Sequence, residues 1–283
     1  MKTSIIFSHA VPWLLAFLPA ARAQETIISD NFSSVTVIGA SNTSQSLSSG
    51  YNTYSSLSQN GIYNNSVNGS LTFSGTNNAL GYIAFQSITL ANTGDYLQVS
   101  FDLSYATLPG TSATAPLRFG LYNTFGDINT TRGYHATSNP AGDTAAGYNV
   151  STNPAATGGA WTPGSANIAK DVSNGATPAT SNAINGGTGV TTLTSQARTV
   201  TYVAGVAQPV TLRITKTGAA SSSIAWTFAG ETFTATDSSG ALATFEIFSF
   251  SNGASNPEWS MDNLLITTNV VAAVPEPSTY AVQ

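Results

Sequence analysis

The sequence predicts an all-β protein, an antiparallel β-sandwich of the jelly-roll type with long Gly/Asn/Thr-rich loops. Three observations predict it. Apolar and polar residues alternate with period two in segment after segment, as a strand with one buried face requires. No segment after residue 23 shows the 3.6-residue periodicity of an amphipathic helix. The alternating segments are short and are separated by clusters of Gly, Asn and Pro, the punctuation of a sandwich.

Taken in order, the chain opens on a leader. Lys2 supplies a positive charge, Ile5–Leu18 form an apolar stretch, and Ala21-Arg22-Ala23 is a small-x-small cleavage pattern. Residues 1–23 therefore read as a signal peptide, too short for a membrane span, which needs about 20 apolar residues. In Tyr96–Ser104 the residues Leu97, Val99, Phe101 and Leu103 alternate with polar ones; Leu117–Tyr122 is a further candidate. The region 126–196 is rich in Gly, Ala, Asn, Thr and Ser, with Tyr134, His135, Tyr148 and Trp161 as isolated large residues. A structureless loop of that length is improbable inside a domain, so short strands are expected there, one around Gly147–Val150.

Thr199–Val203 follows as a candidate, then Val210–Lys216, whose Val210, Leu212 and Ile214 share a face. Ile224, Trp226 and Phe228 form another apolar set, with Trp226 in the core. Ala229-Gly230 makes a tight turn, and Thr232–Thr236 is the return strand. In Thr244–Phe250 strict alternation puts Phe245 and Ile247 on one face and Phe248 and Phe250 on the other, so this is a central strand covered on both sides. Trp259–Thr267 is the last strand. One sandwich domain over residues 24–269 and a linker and tail over 270–283 account for the chain.

Composition narrows the function. Charged residues are 7 % of the chain against about 25 % in ordinary soluble domains. The apolar share of 41 % still permits a large core. Net charge is −5, and loss of Lys2 and Arg22 with the leader makes the mature chain more negative. With no basic patch, nucleic acid is excluded as a partner. There is no cysteine, so disulfides and thiolate metal sites are excluded as well.

Enzyme signatures are lacking. His135, the sole histidine after the leader, has no Gly-x-Ser-x-Gly elbow with it and cannot assemble a zinc site alone. Glycoside hydrolysis needs two carboxylates about 5–10 Å apart, and Glu231, Glu246 and Glu258 stand singly in the sequence. Tyr134, Tyr148 and Trp161 are candidate platforms for a sugar ring, or else plugs that pack loops onto the core. Thr232, Thr234 and Thr236 place hydroxyls on one strand face at regular spacing, as ice-binding arrays do, although threonine is also a good strand former.

Two resemblances extend this reading. Val274-Pro275-Glu276-Pro277-Ser278-Thr279 resembles the start of the PEP-CTERM sorting signal. That resemblance implies export to the cell surface or extracellular matrix by exosortase-type sorting machinery. The apolar helix and arginine cluster that follow the motif in that family are not found in Tyr280–Gln283, so the signal reads as truncated and no membrane anchor is expected in this chain. Ser29-Asp30-Asn31-Phe32, Val99–Leu103, Leu117–Asn123, Phe245–Phe250 and Ser260–Leu264 together resemble a concanavalin A-like jelly roll. This implies that the first and last strands lie side by side. Asp30, Asn31, Asp262 and Asn263 then become candidate oxygen ligands for a structural calcium ion, or simply strand-end turn formers. The resulting expectation is a non-catalytic, structural or adhesive matrix protein associated with polysaccharide; a glycosidase-like enzyme and an ice-binding protein are the alternatives.

Overall fold

The computed structural model describes residues 23–33, 45–46, 52–55, 62–65, 69–73, 79–105, 117–125, 145–157, 160–172, 190–197, 203–252 and 258–270. Among them the regular structure is entirely β, in sixteen strands. These are β1 (Glu25–Asp30), β2 (Gln45–Ser46), β3 (Asn52–Ser55), β4 (Ile62–Asn65), β5 (Ser70–Phe73), β6 (Ala79–Thr89), β7 (Tyr96–Tyr105) and β8 (Leu117–Asn123). Then come β9 (Ala146–Thr157), β10 (Ala160–Val172), β11 (Val190–Ala197), β12 (Gln208–Gly218), β13 (Ser221–Phe228), β14 (Glu231–Asp237), β15 (Thr244–Asn252) and β16 (Trp259–Thr268). No helix of the described residues is long and apolar enough to cross a membrane.

Two eight-stranded sheets form the sandwich expected from the sequence. The first runs β14-β13-β12-β7-β16-β5-β4, with β1 also pairing β16; the second runs β11-β10-β9-β8-β15-β6-β3-β2. Each ladder is antiparallel. From β5 to β8, and again from β14 to β16, the chain changes sheet at every connection. The runs β8–β11 and β12–β14 are meanders that widen each sheet. Alternation explains the first sheet: Leu97, Val99, Phe101 and Leu103 of β7 and Val210, Leu212 and Ile214 of β12 point inward, and their polar neighbours point out.

Aromatic rings fill the space between the sheets. Phe119 lies 4.9 Å from Phe101, 6.4 Å from Phe248 and 5.8 Å from Trp259, the last edge-on. Trp226 packs on Phe228 and Phe233. Such offset and edge-to-face contacts add to simple burial, and with no cysteine in the chain this core carries the stability.

The β13–β14 hairpin turns on Ala229 and Gly230, with φ of 49° and 86°, between paired Phe228 and Glu231. Both central residues of this two-residue turn need positive φ, which favours Asn-Gly over Ala-Gly. Ala229→Asn is therefore expected to stabilise the protein by about 0.5–1 kcal/mol in equilibrium denaturation.

Three sequence expectations need correction. Region 126–196 holds long strands rather than a few short ones: β9, β10 and β11 have 12, 13 and 8 residues. Phe245 and Ile247 do not share a face. The β6–β15 ladder is irregular at Glu246, so Phe245 joins Phe248 and Phe250 in the core while Ile247, also buried, is turned to the other side. Strands β2 to β6 carried no clear alternation and were not foreseen. Residues 199–202, the leader through Arg22 and the tail from 271 lie outside the described residues.

Candidate functional site

The outer face of the first sheet is accessible to solvent along β7, β12, β13 and β14, where alternate residues are half-buried or exposed. On β14, Thr232, Thr234 and Thr236 are exposed, while Phe233 and Ala235 between them are buried. Register carries this row across the sheet. Thr232 pairs with Thr227, Thr227 with Thr211, and Thr211 with Ser100. The next row is Thr234, Ala225, Arg213 and Gln98; the third is Thr236, Ser223, Thr215 and Tyr96. Neighbouring strands lie about 4.8 Å apart and alternate residues about 6.7 Å apart, so the hydroxyls form a grid.

Two contacts organise the grid. Thr227 and Thr232 share a hydrogen bond of 2.8 Å between their hydroxyls. The Arg213 guanidinium lies 3.7 Å above the Tyr96 ring, a cation–π contact between β12 and β7. Nε of Arg213 also donates to the Thr215 hydroxyl. On β7, β12, β13 and β14 charge enters the face only through Arg213 and, one pair beyond the grid, Asp102, which Asp262 of β16 adjoins. Such a surface offers many neutral donors and acceptors and little electrostatic pull.

The sequence-derived candidates are distributed differently. β1 does pair with the last strand, β16, and Asp30 faces Leu264. Asp30 and Leu264 are both buried, so Asp30 points inward; its Oδ1 accepts the Phe32 amide at 2.7 Å. Asp262 instead pairs with Asp102, an outward residue of β7, and lies on the outer face. There Asp262 accepts the Asn263 amide at 2.6 Å, and Nδ2 of Asn263 donates to Asp102 at 2.9 Å. Partial burial, helped by Asp102, lifts the Asp262 carboxyl above its ordinary range.

Asn31 is exposed and caps its own turn by accepting the Ser33 amide. Asp30, Asn31, Asp262 and Asn263 thus do not converge as one ligand set. Asp30 is on the inner side and Asp262 on the outer, and no group of three or more acidic or histidine side chains among the described residues is placed to hold a metal. The calcium site expected from these four residues does not fit their geometry.

Tyr148 is fully buried between the sheets, where it contacts Phe245 and donates to Asp237 at 2.7 Å; it cannot present a platform to a ligand. Trp161 lies on β10, paired with Ala156, with its side chain outside the described residues. Tyr134, His135 and Pro275–Thr279 are outside them too. Glu246 is buried in the second sheet, and its Oε1 accepts both the amide (2.7 Å) and the hydroxyl of Thr124. Glu231 begins β14 in the first sheet and Glu258 precedes β16, so the three glutamates belong to separate segments. Sequence reasoning found Thr232, Thr234 and Thr236 but missed their continuation over β13, β12 and β7. The outward residues of those strands were visible, but which of them stand side by side depends on register.

No protein-family model matches the chain, and no curated protein matches it in sequence. Among solved structures it is similar to the carbohydrate recognition domain of Emp47p, with 10% identity over 86% of this chain and 97% of that one and a TM-score of 0.45. It is similar also to the exoplasmic/lumenal domain of VIP36 in its Ca2+/Man2-bound form (9% identity, 88% and 90% covered, TM-score 0.48). A Lotus tetragonolobus seed lectin gives 11% identity, 85% and 97% coverage and a TM-score of 0.43.

Proposed function

We propose that this chain is an exported, non-catalytic β-sandwich of a bacterial cell surface or extracellular matrix, and that it holds neutral polysaccharide on the outer face of its first sheet. The observation that carries the reading is the hydroxyl grid of β14, β13, β12 and β7. Neutral polymers are held by many uncharged hydrogen bonds, which Thr232, Thr227, Thr211, Ser100 and Gln98 supply together. A non-catalytic role is supported by Glu246, whose carboxylate is engaged in holding Thr124 rather than turned to the grid. Export and exosortase-type sorting are supported by the leader through Ala23 and by Val274–Thr279.

Ice binding is the second reading, favoured by the exposed Thr232, Thr234 and Thr236. Sheet twist favours the first. At about 20° per strand, the twist across four strands accumulates to about 60°. A rigid lattice plane would meet only part of such a surface, whereas a flexible chain can follow it.

The test is affinity electrophoresis of the purified protein in gels containing laminarin, mannan or dextran. Retardation by at least one is expected, with loss of retardation in Thr234→Glu/Thr236→Glu and an unchanged melting temperature, since both residues are exposed and exposed substitutions cost within about 0.5 kcal/mol. Free mobility in all three gels would remove the reading. Release of reducing sugar would make the protein a glycosidase, and thermal hysteresis without retardation would make it an ice binder.

A further inference from the structure

The strand β8 ends in Asn123-Thr124-Phe125, and Phe125 is 65% exposed with φ of 56°. A bulky side chain in the left-handed region is an outlier, because its Cβ crowds the following carbonyl. The same local turn occurs once more. In Asp30-Asn31-Phe32, Asp30 Oδ1 accepts the Phe32 amide and Phe32 takes φ of 50°, but Phe32 is fully buried. Burial of a phenyl ring offsets the strain there. Phe125, being exposed, has no comparable burial to offset it.

What holds Phe125 is polar and deeply set. Asn123 Oδ1 accepts the Phe125 amide at 2.8 Å. Glu246, itself buried, accepts the amide and the hydroxyl of Thr124 next to it. Its carboxylate stands where the β6–β15 ladder is irregular: Phe245 pairs with Ile88 and Ile247 with Ala84, leaving Phe85–Ser87 opposite the single residue Glu246. Irregularities of this kind re-aim side chains and recur beside functional sites. A buried carboxylate is costly unless fully engaged, and here it fixes a strained turn that projects a ring into solvent. Strain retained against such costs points to use.

We propose that Phe125 is an aromatic platform on which one sugar ring of the neutral polysaccharide stacks, with Asn123, Thr124 and Glu246 as its positioning residues. The proposal rests on the polysaccharide reading above and adds a second contact to it. The occupant follows from the size of the surface. Phe125 is a single ring flanked by polar Asn123 and buried Thr124, and the other exposed large apolar side chains among the described residues, Val203 and Val206, belong to the segment before β12. A protein partner needs about 800 Å² on each side, whereas the C–H face of a pyranose matches one phenyl ring.

The experiment compares wild type, Phe125→Trp, Phe125→Ala and Phe125→Gly by affinity electrophoresis in laminarin, mannan and dextran, alongside thermal denaturation. Phe125→Trp is expected to retain retardation. Phe125→Ala and Phe125→Gly are expected to weaken it about five- to tenfold, the scale of one lost ring contact. Phe125→Gly should also melt higher than wild type, since glycine accepts the left-handed turn without strain. Equal retardation of wild type and Phe125→Ala overturns the platform and leaves the polysaccharide reading intact. A fall in melting temperature for Phe125→Gly overturns it as well, by making the ring structural. Free mobility of the wild type in all three gels overturns both.

Discussion

Gly147→Ala is expected to lower the melting temperature by about 4–12 °C, the loss of about 2–3 kcal/mol in a domain of this size. Gly147 lies in β9, paired with Tyr122 of β8 on one side and Asp171 of β10 on the other. The Tyr122 ring lies directly across it. A Cβ at this position would sit 2.3 Å from Tyr122 Cδ1 and 2.3 Å from the Leu121 carbonyl oxygen, closer than any real contact. The carbonyl belongs to the sheet backbone and cannot retreat. The ring is fully buried, and its hydroxyl accepts from Asn149 Nδ2 at 3.2 Å, so swinging it away costs packing and a hydrogen bond together. Burial, reinforced by Asp171, pushes the Tyr122 phenol far above its ordinary pKa, so it stays neutral and has no charge to seek solvent with.

Against these costs, alanine recovers about 0.4–1 kcal/mol by restricting the unfolded chain, which is too little to change the sign. Differential scanning calorimetry of wild type and variant settles the matter. A second variant, Gly147→Ala/Tyr122→Leu, is expected to recover only part of the loss, because the Leu121 carbonyl contact remains. An unchanged melting temperature in Gly147→Ala would mean that β9 does not lie under Tyr122.

Gly147 also shows why the second sheet was harder to read than the first. In β7, β12 and β13 large apolar residues alternate with small polar ones, so inward and outward faces were legible from composition alone. In β9 and β10 the inward residues Tyr148, Val150 and Ile168 alternate with Gly147, Asn149 and Ala169, which are buried too. Two-sided burial erases the alternation that marks a strand, and small residues in such strands look like loop residues. The irregularity at Glu246 misled the reading in another way. A one-residue slip exchanges the two faces, so Phe245 could not be assigned to the core without the register of β6.

The site was legible only in fragments for the same physical reason. Thr232, Thr234 and Thr236 are neighbours in sequence and were visible. Thr227, Thr211 and Ser100 join them only through pairing across four strands. Asp30-Asn31-Phe32 and Asn123-Thr124-Phe125 are similar as sequences, and only burial separates the ring that fills the core from the ring that leaves it.

Asp237→Ala is expected to cost about 3–4 kcal/mol and to lower the melting temperature by about 6–16 °C. Asp237 ends β14 in the first sheet, and Lys170 lies on β10 of the second; their charged atoms are 2.8 Å apart. Tyr148 donates to the same carboxylate oxygen at 2.7 Å, and the Ser239 amide reaches the other oxygen at 3.2 Å. Lys170 donates further to the carbonyls of Ser239 and Gly240, and the Leu242 amide donates to the Tyr148 hydroxyl at 2.9 Å. One carboxylate thus ties the edge strand β14 of the first sheet to β9 and β10 of the second and to the turn leading into β15. Removing it strands a nearly buried ammonium and a buried phenol, whereas Lys170→Met/Asp237→Leu removes both charges and should lose less than the sum of the single changes.

The pH dependence follows from the same contacts. Burial alone would raise the Asp237 carboxyl, but Lys170, Tyr148 and the Ser239 amide outweigh it and hold the group below the usual carboxylate range. With a folded value below the unfolded value of about 3.9, its contribution is complete above that value and disappears as the pH falls through the folded one. Burial, followed by Asp237, pushes the Tyr148 phenol up, so its contribution is complete below about pH 10 and is lost as the pH rises beyond. Wild type should therefore lose stability below about pH 4 more steeply than Asp237→Asn, and above about pH 10 more steeply than Tyr148→Phe. Parallel acid limbs for wild type and Asp237→Asn would show that the two sheets are not joined through this carboxylate.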